Sequence, residues 1–102
     1  LVVGLGGVFV ELLRDTVVEP APVSRATAAR MLERLRSTAI LDGFRHLPKV
    51  DRDRLAEVVC RFSELLSDQK ALLSEVDVNP LICAGDTIIA VDGMITRRAA
   101  GG

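Results

Sequence analysis

The sequence predicts an α+β fold, in which two helices pack on one face of a mixed or antiparallel β-sheet. Three observations predict it: strand-like apolar runs occur at both ends of the chain, two amphipathic helical stretches lie between them, and no internal repeat is present. The 102 residues, 49% of them hydrophobic and 26% charged, can form one small domain with a core. They are few for an enzyme that binds two substrates.

The start of the chain predicts short β-strands. Residues 1–3 and 8–13 are aliphatic and β-branched, and the glycine-rich residues 4–7 between them suit a tight turn. A third such run, residues 16–19, stops before Pro20. Because proline has no amide hydrogen for a ladder, this strand ends there or lies at a sheet edge. The chain opens in strand-like sequence without an initial methionine, so we expect it to be part of a longer protein.

Two helices are predicted in the middle of the chain. Ser24 is a favourable N-cap for a helix over residues 25–36, and Asp51 can cap a second helix. The second helix carries an apolar stripe at helical spacing, formed by Leu55, Val58, Val59, Phe62, Leu65 and Leu66. The side chains that we expect in the core are Leu55, Val59, Phe62 and Leu66. Residues 40–50 contain a glycine and a proline and have no sustained period, which predicts a loop.

The last third of the chain predicts a β-hairpin. Its strands are expected at residues 75–83 and 87–95, so that the domain covers residues 1–95 and a loose tail covers residues 96–102. Alternation along these strands places a set of apolar side chains on one face, which we expect to pack under the helices. That set is Val76, Val78, Pro80, Ile82, Ile89 and Val91.

The turn of this hairpin sets its register. Gly85 and Asp86 form a favourable two-residue loop, because glycine readily adopts the positive φ that the first position needs. With this loop, Asn79 lies directly opposite Asp92, and their β-carbons are about 4.5–5.5 Å apart. The register therefore brings two oxygen-bearing side chains side by side.

Polar residues are concentrated at one end of the other hairpin face, at Asp77, Asn79 and Asp92. A carboxylate and an amide oxygen together suit a Mg²⁺ ion that keeps water ligands and takes its remaining ligands from substrate phosphates. The alternative is an exposed polar strand end with Asn-Pro turn chemistry, and spacing alone favours that alternative.

Composition excludes several classes of function. The net charge is −1, there is no Trp or Tyr, and only three Phe are present, so we expect no nucleic-acid partner. Cys60 and Cys83 have neither CxxC spacing nor a nearby histidine, which favours free thiols in a reduced cytoplasm. No run of 18 apolar residues occurs, so we expect no membrane span and a cytoplasmic location.

Three segments carry a resemblance to a known family: GLGGVFVE at residues 4–11, EVDVNPL at residues 75–81 and VDG at residues 91–93. In order and spacing they resemble signatures of the ATP-grasp domain of NDP-forming acyl-CoA synthetases, the ADP-forming acetate or acyl-CoA ligases, which are related to the succinyl-CoA synthetase β chain. The resemblance spans nearly the whole chain and implies the C-terminal subdomain of an ATP-grasp fold. One departure is His46, which stands where the family usually has a glycine.

The resemblance implies roles for individual residues. Asn79 and Asp92 match the positions that hold Mg²⁺ against the phosphates of ATP or ADP. Asp77 matches an acidic residue that meets a phosphorylated histidine in related enzymes. Glu11 ends the glycine-strand signature, and either a place in the nucleotide cleft or an ordinary edge carboxylate fits it. The family's phosphorylated histidine belongs to another domain, so His46 is expected to be a loop residue without a catalytic role.

The function implied is that of a fragment of an NDP-forming acyl-CoA synthetase. It supplies the magnesium–nucleotide wall of the ATP-grasp site, where a phosphoryl group passes between ATP or ADP and a phosphohistidine on another domain. Its partners are the missing N-terminal ATP-grasp subdomain and the CoA-binding and phosphohistidine domains, without which the fragment is expected to be inactive. Two alternatives stay open: a non-catalytic α+β interaction module, and the equivalent part of a succinyl-CoA synthetase-like β chain. The glycine strand favours the acyl-CoA synthetase group.

Overall fold

A computed structural model describes residues 1–4, 15–43 and 48–99 and confirms the α+β class. In chain order its elements are β1 (Val2–Gly4), β2 (Thr16–Val18), α1 (Arg25–Arg34), a short 3₁₀ helix (Thr38–Asp42), α2 (Arg52–Asp68), β3 (Leu73–Val78), β4 (Leu81–Ala84), β5 (Thr87–Ala90) and β6 (Gly93–Arg97). The strand pairs are β1–β2, β3–β6 and β4–β5, and each is antiparallel. The strand predicted at residues 8–13 lies outside the described residues.

Both predicted helix caps are confirmed. The Ser24 hydroxyl accepts a hydrogen bond from the Thr27 backbone N–H at 3.1 Å, and the Asp51 carboxylate accepts one from the Arg54 N–H at 3.1 Å. Each cap satisfies a backbone donor that the first helical turn leaves without a partner. Helix α1 ends at Arg34, two residues before its predicted end.

The stretch predicted as a loop begins inside the 3₁₀ helix, so its first residues, up to Asp42, are helical. The Asp42 side chain forms an ion pair with Arg52 at 3.0 Å. The Arg52 guanidinium also donates to the Thr38 carbonyl at 2.6 Å. This segment is therefore fixed to the first turn of α2, although no sequence period indicated a regular element. None of the helices in the described part of the chain is long and apolar enough to cross a membrane.

The core lies between α1, α2 and strand β2. Its fully buried centre includes Ala28 and Met31, and its full membership is Val17, Val23, Ala28, Met31, Leu32, Leu35, Leu41, Val50, Leu55, Ala56, Val59 and Cys60. The prediction for α2 is confirmed at Leu55 and Val59 but wrong at Phe62 and Leu66, which are only half-buried. The reason is that α2 turns a face containing Ala56, Cys60 and Ser63 into the core, so the apolar stripe is wider than the face that α1 covers.

Two buried polar side chains tie distant segments together. The Ser63 hydroxyl accepts a hydrogen bond from the Val23 N–H at 2.9 Å, which holds the segment before α1 against α2. The Asp15 carboxylate accepts bonds from the Arg36 N–H at 2.6 Å and the Ser37 N–H at 3.0 Å, which joins the start of β2 to the chain after α1. In each case a buried polar group is satisfied by a partner that is remote in sequence.

The hairpin has the predicted turn and register. Ala84 pairs with Thr87, so Gly85 and Asp86 form the loop, and Gly85 has the expected positive φ of 62°. The ladder continues from β4–β5 to β3–β6, where Val78 pairs with Gly93. The last strand reaches Arg97, two residues beyond the predicted strand end.

The tip of the hairpin is attached to the start of α2. The Gly85 N–H donates to the Lys49 carbonyl at 2.9 Å, and the Asp51 N–H donates to the Gly85 carbonyl at 2.7 Å. Since β3 follows directly after the other end of α2, both ends of the hairpin are held near this helix. The hairpin therefore has a fixed position relative to the core.

The prediction of which hairpin face packs on the core is wrong in the half of the hairpin nearer the turn. Pro80 is exposed, and Ile82, Ile89 and Val91 are 53%, 54% and 61% exposed. The side chains that pack against the core are instead Leu81, Cys83 and Ile88. In β3 the predicted side chains, Val76 and Val78, are half-buried. The predicted alternation assumes a continuous strand through Asn79 and Pro80, but β3 ends before these two residues and β4 begins after them. The inward set therefore changes phase between Val78 and Leu81.

Candidate functional site

Asn79 and Asp92 lie opposite each other at the interruption of the hairpin ladder, as the register predicted. The Asn79 N–H donates to the Asp92 carbonyl at 3.0 Å, and the Val91 N–H donates to the Pro80 carbonyl at 3.0 Å. These two bonds keep the strands together where neither residue belongs to a regular strand. The backbone therefore fixes the spacing of the two residues even though the ladder is interrupted there.

The side chains of Asn79 and Asp92 are exposed and available to a ligand. The Asp92 Oδ1 accepts a hydrogen bond from the Gly93 N–H at 2.8 Å. Within the described part of the chain, neither Asp92 Oδ2 nor the Asn79 carboxamide makes a hydrogen bond. One carboxylate oxygen and one amide oxygen thus remain for an external partner.

The donor set suits a hard cation that is only partly held by protein. Carboxylate and amide oxygens are ligands of the kind that Mg²⁺ takes, and Mg²⁺ usually keeps several waters and completes its coordination with substrate phosphates. In residues 1–4, 15–43 and 48–99, no group of three or more His, Cys, Asp or Glu side chains could hold a metal ion by itself. The residues present therefore fit Mg²⁺ bound together with a nucleotide, rather than a metal enclosed by protein alone.

Asp77 is exposed on β3, where it pairs with Met94 of β6. It lines a groove of about 480 Å³ that also contains Lys70, Glu75 and Arg98. Asp77 precedes Asn79 by two residues. The same strand end therefore carries the residue predicted to meet the phosphohistidine and a predicted metal ligand. Glu11 and His46 lie outside the described residues, and the prediction for each stays a prediction.

Asn79 also lies at the margin of an apolar groove that the sequence did not predict. The described residues line a groove of about 520 Å³ between α2, β1 and the hairpin, with Phe62, Leu65, Leu81 and Cys83 among its walls. The signal in the sequence was the width of the apolar stripe on α2, which exceeds what packing against one helix requires. The groove explains why Phe62 is only half-buried.

The two cysteines are free thiols, as expected, and their surroundings do not favour a nucleophile. Burial raises the pKa of the Cys60 thiol, and a hydrogen bond to the Glu64 carboxylate raises it further. Burial also raises the pKa of the Cys83 thiol. Because the thiolate is the reactive form, neither side chain is suited to nucleophilic chemistry at neutral pH.

Comparison with known proteins identifies similar chains. Residues 1–96 match the family model of an ATP-grasp domain. The chain is 35% identical over 89 residues to the beta subunit of acetate–CoA ligase [ADP-forming] I from Pyrococcus furiosus, a match that covers 87% of this chain and 38% of that protein. It is 30% identical over 97 residues to the beta subunit of the second such ligase from the same organism, and this match covers 93% of this chain and 41% of the relative.

A solved structure is similar throughout the chain. It is acetyl-coenzyme A synthetase 1 from Ca. Korarchaeum cryptofilum, in complex with coenzyme A and Mg-AMPPCP, with a phosphohistidine segment pointing towards the nucleotide-binding site. The TM-score is 0.84 at 34% identity, and the match covers 95% of this chain and 45% of that one. The chain thus spans less than half the length of these relatives.

Proposed function

The chain belongs to the ATP-grasp domain family, and on that premise we propose that its hairpin forms the magnesium–nucleotide wall of the ATP-grasp site in an NDP-forming acyl-CoA synthetase. The two Pyrococcus relatives are subunits of ADP-forming acetate–CoA ligases, which supports this assignment. The observation that carries the proposal is the pairing of Asn79 with Asp92, in which the Asn79 N–H donates a hydrogen bond to the Asp92 carbonyl at 3.0 Å. This pairing sets an amide oxygen and a carboxylate side by side on an exposed strand end.

Each residue has a distinct part in the proposed site. The Asp92 carboxylate and the Asn79 amide oxygen would hold Mg²⁺ against the phosphates of ATP or ADP, and Asp92 would contribute more because it is charged. When bound, Mg²⁺ neutralises charge on the phosphates and so favours phosphoryl transfer. Asp77, two residues before Asn79, meets the phosphorylated histidine that another domain presents. The Mg-AMPPCP and the phosphohistidine segment of the similar Korarchaeum structure support this arrangement.

The chain is proposed to act only together with other parts of the enzyme. Two metal-ligating oxygens supply no positive charge of their own, so most of the charge of a nucleoside triphosphate stays uncompensated. We therefore expect weak binding and no turnover by this chain alone. The partners proposed are the N-terminal ATP-grasp subdomain and the CoA-binding and phosphohistidine domains. The short coverage of the relatives, 38% and 41% of the two beta subunits, supports the need for further domains.

The test is the substitution Asp92→Ala in the complete enzyme, with Asp86→Ala as the matched control. Both carboxylates are exposed on the same hairpin, but Asp86 lies in the turn, away from the proposed site. Asp92→Ala should reduce magnesium-dependent histidine phosphorylation by ATP about 100-fold or more, since it removes the charged ligand proposed to hold the Mg²⁺ that stabilises the transferring phosphates. Asn79→Ala should give a smaller loss, and Asp86→Ala should match the unmodified enzyme. Normal phosphohistidine formation by Asp92→Ala would contradict the proposal.

One observation favours a second function, that of a non-catalytic interaction module. The outward side chains of the hairpin include several large apolar ones: Ile82, Ile89, Val91, Met94 and Ile95. Exposed apolar surface of this kind often marks a contact with another protein. Under this alternative, AMPPCP binding would not depend on Mg²⁺ or on Asp92, and calorimetry of the complete protein and its Asp92→Ala variant distinguishes the two functions.

A further inference from the structure

Backbone N–H groups donate hydrogen bonds to both the main chain and the side chain of Asp92. Its carbonyl accepts a hydrogen bond from the Asn79 N–H at 3.0 Å, and its Oδ1 accepts one from the Gly93 N–H at 2.8 Å. Gly93 is the first residue of β6 and pairs with Val78 across the hairpin, so its N–H belongs to a backbone held in place by the ladder. The carboxylate is therefore bonded to a donor that the fold itself positions.

We propose that the backbone N–H of Gly93 is a positioning group for the metal ligand Asp92, and that it selects how the carboxylate meets a cation. This inference rests on the proposed function. The Gly93 N–H takes one lone pair of Oδ1 at 2.8 Å, so Oδ2 is the oxygen that would be wholly available to a cation. Asp92 would then meet a cation mainly through one oxygen, a contact that suits Mg²⁺, whereas Ca²⁺ readily accepts both oxygens of a carboxylate. Hydrogen bonds of this outer kind orient ligands and tune metal affinity.

The space around Gly93 permits a direct test. A β-carbon added there would have Asp77 O as its nearest contact, at the ordinary distance of 3.5 Å, so the position accepts a side chain. Proline is tolerated at the first residue of a strand and lacks the N–H. Gly93→Ala and Gly93→Pro therefore both add a β-carbon, and the proline variant alone removes the donor. The ratio between the two variants reports the loss of the donor together with the restriction that proline places on the Asp92 backbone.

The experiment measures the binding of AMPPCP to the complete enzyme by calorimetry over a range of Mg²⁺ concentrations. Gly93→Pro should raise the half-saturating Mg²⁺ concentration about 10–100-fold relative to Gly93→Ala, the loss typical of a ligand that has lost its orienting partner. Saturating Mg²⁺ should restore AMPPCP affinity, and Ca²⁺ should support binding better in the proline variant than in the alanine variant. A merely structural effect would weaken binding at every Mg²⁺ concentration. Equal Mg²⁺ requirements in the two variants overturn the positioning role.

A second variant keeps the test decisive if Gly93→Pro fails to fold. In Asp92→Asn the single amide oxygen stays bonded to the Gly93 N–H, so the NH₂ group faces the cation, and the loss of Mg²⁺-dependent AMPPCP binding should equal that of Asp92→Ala. Clearly tighter binding by Asp92→Asn than by Asp92→Ala would show that the side chain turns freely, against the proposal. If Asp92→Ala itself leaves the Mg²⁺ requirement unchanged, both the proposed function and the positioning role are wrong.

Discussion

Replacing Asp15 by asparagine is expected to destabilise the fold, because one buried carboxylate satisfies two backbone donors. Asp15 is only 4% exposed and accepts hydrogen bonds from the Arg36 N–H at 2.6 Å and the Ser37 N–H at 3.0 Å. An asparagine has one accepting oxygen, so one of the two N–H groups would face an NH₂ group. A buried donor left without a partner costs about 1–3 kcal/mol. A loss of about 2 kcal/mol in the free energy of unfolding corresponds to a fall in Tm of about 8–16 °C.

The effect of Asp15 depends on pH. Burial alone would raise the pKa of this carboxyl, but the hydrogen bonds from the Ser37 and Arg36 N–H groups outweigh burial and lower the pKa below its ordinary value of 3.8. A lowered pKa in the folded state means that the carboxylate stabilises the fold above pH 3.8. This contribution is lost as the pH falls below 3.8 and through the folded-state pKa. The difference between the unmodified chain and Asp15→Asn should therefore be large at pH 7 and shrink in strong acid.

Thermal unfolding followed by circular dichroism at pH 7 and below pH 3 measures both effects. The matched control is Asp68→Asn, which changes an exposed carboxylate at the last residue of α2 and should alter stability by less than about 0.5 kcal/mol. If Asp15→Asn were as stable as this control at pH 7, the inferred role of the two hydrogen bonds would be refuted.

The remaining stability predictions concern the core. Ser63→Ala removes the acceptor of the buried Val23 N–H, so urea unfolding should show a loss of about 1–3 kcal/mol, and an unchanged midpoint would contradict the bond. Met31→Ala empties a site with 0% exposure and should cost about 2–5 kcal/mol in the same assay. Phe62→Ala should cost less than the roughly 3–5 kcal/mol of a fully buried phenylalanine, because Phe62 is half-exposed in the groove beside α2. A larger loss for Phe62→Ala than for Met31→Ala would contradict the burial pattern.

Features that depend on neighbouring residues could be predicted from the sequence. Ser24 and Asp51 cap their helices because a side-chain oxygen needs only the N–H three residues ahead. The hairpin register followed from Gly85, since a two-residue loop fixes every pair that comes after it. The opposition of Asn79 and Asp92 in the candidate site is therefore a consequence of the turn residues.

Features that depend on contacts between remote segments could not be predicted in this way. Asp15 and Ser63 look like ordinary polar residues in the sequence, but each is buried against backbone N–H groups 21 to 40 residues away. The hydrogen bond that orients Asp92 also has no sequence signal, because it depends on the angle at which Gly93 enters β6. Such contacts exist only after the elements have packed.

Local chemistry and short motifs are enough to predict the fold class, the helix starts, the turn and the family. The burial of individual apolar side chains depends instead on how the elements pack. Ile82 and Leu81 are equally apolar, and the break in the strand at Asn79 and Pro80 makes Leu81 the one that faces the core. Phe62 belongs to the same helical stripe as Val59, yet Val59 is buried and Phe62 is only half-buried. Burial depends on the neighbour that covers a surface, and that neighbour is specified by packing rather than by the periodicity of the segment itself.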